Sequence, residues 1–139
     1  MTEAQKTILV VEDEDDVREI IRLILEGAGY RVIETGRPES ALDLARQQRP
    51  DLVICDIAMP GMDGYAVLRS LQADATAVLI PVVFLSAHRD FSERMRAFRA
   101  GVVDYITKPF SRDTLQKRVE RICDGLARRG SLLPEADGA

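Results

Sequence analysis

Asp51–Gly64 reads DLVICDIAMPGMDG, and its first half decides the fold. Leu52–Cys55 is a continuous apolar run of strand length, closed by Asp56 and then by the turn signal Pro60-Gly61. An alternating pattern would mark a strand with one wet face; an unbroken run marks one buried on both faces, as in a parallel sheet. Ile8–Val11 and Val82–Leu85 are runs of the same kind, and Arg31–Ile33 and Tyr105–Ile106 complete a set of five. Helical spacing fills the gaps. Val17, Ile20, Ile21 and Ile24 recur at i, i+3, i+4 and i+7, and Pro38 suits a first helical position before Ala41, Leu42 and Ala45. Asp63 can cap a helix carrying Tyr65, Leu68 and Leu71, Asp90 with Glu93 makes a capping box before Met95 and Phe98, and Gly101 is a natural stop. Ser111 can cap a last helix with Leu115, Val119, Ile122 and Leu126 on one face.

Strand and helix alternate five times, which predicts an α/β fold: a single doubly wound, five-stranded parallel sheet with five helices. Polar residues that act together in such a fold gather where the strands end at their carboxyl edge. Those residues are Glu12-Asp13 after the first strand, Asp56 after the third, Ser86 after the fourth and Thr107-Lys108 after the fifth. The second strand ends in nothing reactive. Gathered carboxylates repel one another unless a cation sits among them, and a hard divalent ion such as Mg²⁺ fits an all-oxygen set. A lysine and a hydroxyl beside that ion could neutralise a transferring phosphoryl group, for which a carboxylate is a competent nucleophile.

VVEDEDD, DLVICDIAMPGMDG, VVFLSAH and DYITKPF resemble, in order and spacing, the signature segments of two-component response-regulator receiver domains, the CheY-like family. The resemblance covers roughly residues 6 to 126. It implies the flavodoxin-like strand order 2-1-3-4-5, which is the order of CheY itself. It further implies Asp56 as the phosphorylated residue, Asp13 and the backbone carbonyl of Ala58 as ligands of Mg²⁺ (Mn²⁺ being an alternative), and Glu12 acting through the ion's water shell. Lys108 would pair with one phosphoryl oxygen and Ser86 with another, while Tyr105 would turn inward as the switch. Lys108–Pro109 would be a cis bond, and Gly64 would allow the turn into the third helix. The phosphoryl donor would be a sensor histidine kinase or a histidine phosphotransfer protein. The reader would be a downstream protein or a fused output domain, engaged through the face of the fourth helix, fifth strand and fifth helix, which could also pair two copies.

Each residue also has an ordinary reading. Asp15 and Asp16 suit a helix start, Met59 and Met62 suit loop packing, and His88 suits an exposed loop. Arg94, Arg96, Arg99, Arg112, Arg118 and Arg121 form either a solvated face or a partner surface. Other functions fare worse. A Mg²⁺-dependent phosphatase with an aspartyl nucleophile would carry an acid two residues on, where Ala58 stands; a flavin carrier would need a phosphate-holding loop where Glu12–Asp16 repels one. A degenerate receiver serving only as a binding scaffold would lack part of the acceptor set. The expected protein is a signalling switch and not an enzyme in the usual sense.

The 139 residues suffice for one domain, and 46% hydrophobic with 30% charged residues is the balance of a globular chain. Residues 1–60 hold 7 basic and 13 acidic side chains and residues 61–139 hold 12 and 10, so the net −4 splits into −6 and +2. That balance gives no reason to expect direct nucleic-acid binding. The longest uncharged stretch, Ala75–His88, is too short to span a bilayer, and MTEAQK is no signal peptide. Cys55 and Cys123 lack metal-ligand spacing and read as free buried thiols of a cytoplasmic protein. The expected domain is 1–126, first in its protein, with 127–139 a flexible tail or linker.

Overall fold

The computed structural model describes the backbone of residues 5–136 and the side chains of residues 5–126. Five strands, β1 (Thr7–Val11), β2 (Arg31–Thr35), β3 (Leu52–Asp56), β4 (Val82–Ser86) and β5 (Asp104–Thr107), form one sheet in the order β2-β1-β3-β4-β5. All four pairings are parallel, as the continuous apolar runs require. Every residue of β1, β3 and β4 is buried. The helices are α1 (Asp15–Gly27), α2 (Ala41–Gln48), α3 (Gly64–Gln72), α4 (Phe91–Ala100) and α5 (Arg112–Ala136).

Alternation along each strand sorts the core into two layers. Leu9, Val11, Val53, Phe84 and Tyr105 face Ala41 of α2, Leu68 of α3 and Ala97 of α4. Ile8, Val10, Ile54, Leu85 and Ile106 face Ile21 of α1 and Leu115 of α5. Apolar burial on both faces is what makes the register of the central strands unambiguous, because a one-residue slip would exchange the layers.

The local signals hold in part. Asp63 Oδ1 accepts from the Ala66 N–H, and Ser111 Oγ accepts from the Thr114 N–H, so α3 and α5 are capped as expected. Gly101 closes α4 at φ 118°. Asp90 does precede α4, but its side chain makes no cap hydrogen bond; its carboxylate accepts from the Ser92 hydroxyl at 3.0 Å. Pro38 opens a short 3-10 turn (Pro38–Ser40) ahead of α2. Ile20, expected on the inner face of α1, is 52% exposed, because Ile21 and Leu25 take the buried positions. α5 runs on to Ala136. Side chains from 127 onward lie outside the described residues.

Candidate functional site

The carboxyl edge of the sheet brings the expected residues together. Glu12, directly after β1, is fully buried; Asp56 ends β3 and Ser86 ends β4, each only 4% exposed. Asp13 is half-buried beside them, and one carboxylate oxygen from each of Glu12, Asp13 and Asp56 lies within 4.8 Å of the others. Lys108 arrives from the loop after β5 across a cis Lys108–Pro109 bond. Its Nζ lies 2.9 Å from Glu12 Oε1 and 3.2 Å from Asp56 Oδ1. Three carboxylates therefore face one ammonium.

The electrostatics follow from burial. Loss of solvent drives the Glu12 carboxyl up to about 7, although hydrogen bonds from Lys108 and the Glu14 N–H pull the other way. Asp56 is also raised by burial, with Lys108 opposing. Burial works against the Lys108 charge, but the Glu12 hydrogen bond and the two carboxylates outweigh it and keep its pKa above the ordinary value. Cys55, behind the pocket, is a free thiol that burial and the neighbouring carboxylates keep protonated; its Sγ donates to the Asp56 carbonyl at 3.3 Å.

Gly64 is required by space rather than by φ. A Cβ there would stand 2.7 Å from the Asp56 carbonyl oxygen and 2.8 Å from Ile57 Cα, both backbone atoms, while the Gly64 N–H donates to Ile57 O at 2.8 Å. The chain thus doubles back tightly beneath Asp56. Ala58 sits on the exposed loop in between. Met59 packs in the core and Met62 against it, the ordinary role expected of both.

Tyr105 is fully buried, and its hydroxyl donates to the His88 carbonyl at 2.9 Å. The His88 N–H donates to Ser86 Oγ at 3.0 Å. In the sequence His88 is conspicuous only for its imidazole, which is not what ties this residue to the site; backbone roles leave no mark on residue type. Arg94 and Arg96 are not simply solvated either. Their guanidinium carbons lie 5.6 Å from the Tyr105 ring centre and 4.2 Å from that of Tyr65. Also unforeseen is Arg18 of α1, whose Nη1 donates to the Glu12 carbonyl at 2.8 Å.

Residues 8–120 match the profile of the response regulator receiver domain. The chain belongs to that family. This receiver domain is 37% identical over 117 residues to the phosphate regulon transcriptional regulatory protein PhoB of Pseudomonas aeruginosa, covering 84% of this chain and 51% of that protein. It thus spans about half the length of the curated relatives it matches. Among solved structures, the receiver domain of a sensor histidine kinase from P. aeruginosa PAO1, with a magnesium ion coordinated in its active-site cleft, aligns at 33% identity and TM-score 0.77. That alignment covers 85% of this chain and 97% of the other. Chemotaxis protein CheY4 of Vibrio cholerae aligns at 26% identity and TM-score 0.81 over 86% of this chain and 99% of its own. The receiver is a two-component phosphorelay switch of CheY-like fold, with the acidic cluster that such domains use for Mg²⁺. Neither the phosphatase nor the scaffold alternative is favoured. Among the described residues, no helix is long and apolar enough to cross a membrane.

Proposed function

We propose that Asp56 is the phosphoacceptor and that Glu12, Asp13, Lys108, Ser86 and Tyr105 serve it. The observation that carries this reading is the reach of Lys108 Nζ to both Glu12 and Asp56, from the far end of the sheet, into a pocket of three carboxylates. Such a donor set fits Mg²⁺, or Mn²⁺ in its place: all oxygen, and two negative charges in excess of the lysine. Asp13, Asp56 and the Ala58 carbonyl would hold the ion, with Glu12 acting through water. When bound, it supplies charge neutralisation for the phosphoryl oxygens.

The chain's own residues do the rest. An Asp56 carboxylate oxygen attacks phosphorus in line, the new O–P bond forming as the P–N bond of a donor phosphohistidine breaks. The released imidazole takes its proton from solvent, so Asp56 needs no general base. Lys108 Nζ, already at Asp56, pairs with a phosphoryl oxygen. The Ser86 hydroxyl accepts from His88 and so keeps its own proton free to donate to another phosphoryl oxygen. Added charge at Asp56 then acts through the His88 segment on Tyr105 and α4, shifting the population of the α4-β5-α5 face.

The donor is a sensor histidine kinase or a histidine phosphotransfer protein. An apolar cleft between Val17, Ile20 and the Lys108–Phe110 segment opens beside the pocket and suits such a visitor. The reader is a downstream protein or a fused output domain, engaged through the α4-β5-α5 face, which could also pair two copies; Phe91 and Phe98 of α4 and Val103, just before β5, are exposed. This domain itself, residues 1–126, does not bind nucleic acid, and it works in the cytoplasm. Incubation with Mg²⁺ and acetyl phosphate, read by intact mass, tests the core of the reading. A phosphate-sized gain that disappears in Asp56→Asn is expected; no gain in the wild type under conditions where Mg²⁺ binds would overturn it.

A further inference from the structure

Glu12 is held by its backbone from two sides. Its N–H donates to the Thr35 carbonyl at the end of β2 at 3.1 Å, and its carbonyl accepts from Arg18 Nη1 at 2.8 Å. The same guanidinium reaches Glu34 Oε1 through Nε at 3.0 Å and Asp15 Oδ1 through Nη2 at 2.7 Å. Only 18% of the Arg18 side chain is exposed. It passes through a notch at Gly36, where a Cβ would stand 2.7 Å from Nη1 and 3.6 Å from the Glu12 carbonyl oxygen. One planar, three-way fork thus ties β1, β2 and α1 together directly behind the acidic pocket, a geometry that lysine cannot reproduce.

We infer that Arg18 is a positioning residue: through the Glu12 carbonyl, and by virtue of the Gly36 notch, it fixes the Glu12-Asp13 segment for cation binding. This rests on the proposed Mg²⁺ role of the pocket. Arg22 supplies the control. It also pairs with Glu34, at 2.8 Å, and with Glu26, at 3.1 Å, but it makes no bond to Glu12. If ion pairing on this flank merely stabilised the fold, Arg18 and Arg22 would be equivalent.

The test is Mg²⁺ titration of the ¹⁵N,¹³C-labelled full chain, followed by NMR. Arg18→Gln should weaken Mg²⁺ about tenfold, the low end of what partners behind metal ligands contribute. Gly36→Ala should weaken it in the same direction, Arg18→Lys should fall between wild type and Arg18→Gln, and Arg22→Gln should leave affinity unchanged. In the absence of metal, the Glu12 carbonyl carbon and the amides of residues 12–14 should shift in Arg18→Gln and Gly36→Ala and stay in place in Arg22→Gln. Unaltered affinity in Arg18→Gln, or an equal loss in Arg22→Gln, overturns the assignment. A wild type that fails to bind Mg²⁺ overturns the metal reading instead, and the metal-free shifts still decide the role of Arg18.

Discussion

Glu12 gives the pocket a measurable cost. Its carboxyl rises from an ordinary 4.5 to about 7, chiefly because it is buried. At about 1.4 kcal/mol per pH unit, ionised Glu12 destabilises the metal-free fold by roughly 3 kcal/mol. The direction is set by which state holds the proton. Between pH 4.5 and 7 the folded chain keeps a proton that the unfolded chain has released. The stability linked to Glu12 is therefore fully present below 4.5 and lost once pH passes 7. The experiment is urea unfolding in a chelating buffer, with wild type and Glu12→Gln compared at pH 5 and pH 8. Glu12→Gln cannot ionise, so the stability difference between the two chains should change by about 3 kcal/mol across that window, with wild type the loser at pH 8. Mg²⁺ should restore the wild type more at pH 8 than at pH 5, because the ion's water shell calls for the ionised form of Glu12 that the proton removes. A difference that stays constant with pH would refute the burial argument for Glu12.

Other consequences are open to the same kind of assay. Removing Lys108 as Lys108→Met should leave Mg²⁺ binding largely intact by calorimetry while uncoupling phosphorylation from partner binding; loss of metal binding would contradict its assigned role. Among the described residues the buried Tyr65 hydroxyl has no hydrogen-bond partner, so Tyr65→Phe should raise stability by about 1 kcal/mol in urea unfolding while keeping the ring against Phe84 and Arg96. Gly64→Ala should cost about 1–3 kcal/mol and slow phosphorylation from acetyl phosphate, since neither the Asp56 carbonyl nor Ile57 Cα can move aside freely. Asp74 is held down at about 2, first by the Thr76 hydroxyl and then by Arg46. The stability it adds is present above about pH 4 and lost as pH falls toward 2, so Asp74→Asn should trail the wild type at pH 5 and match it near pH 2.

The strands were legible because burial on both faces leaves no room for polar residues, and that constraint is written directly into Leu52–Cys55 and Val82–Leu85. Residues meeting at the carboxyl edge were legible for the same reason: once the strands are placed, parallel winding carries Glu12, Asp56, Ser86 and Lys108 to one rim. The strand order came from the family resemblance, since alternation alone fits several orders. What stayed hidden depends on tertiary approach. Nothing local marks Arg18 as the partner of the Glu12 carbonyl, or Gly36 as the gap it needs; both follow from how α1 lies against β2. The Asp90 cap pattern says nothing of Ser92, whose hydroxyl donates to the same carboxylate.

Ser86 and Tyr105 hold the same residue by opposite ends, one taking the His88 N–H and the other giving to its carbonyl. The three groups are therefore wired in series. A hydroxyl that accepts from His88 can donate elsewhere without letting go, so under the proposed switch a pull on Ser86 would reach Tyr105 with every bond along the line still made. Replacing His88 by proline would cut this line at its middle while leaving both end residues in place.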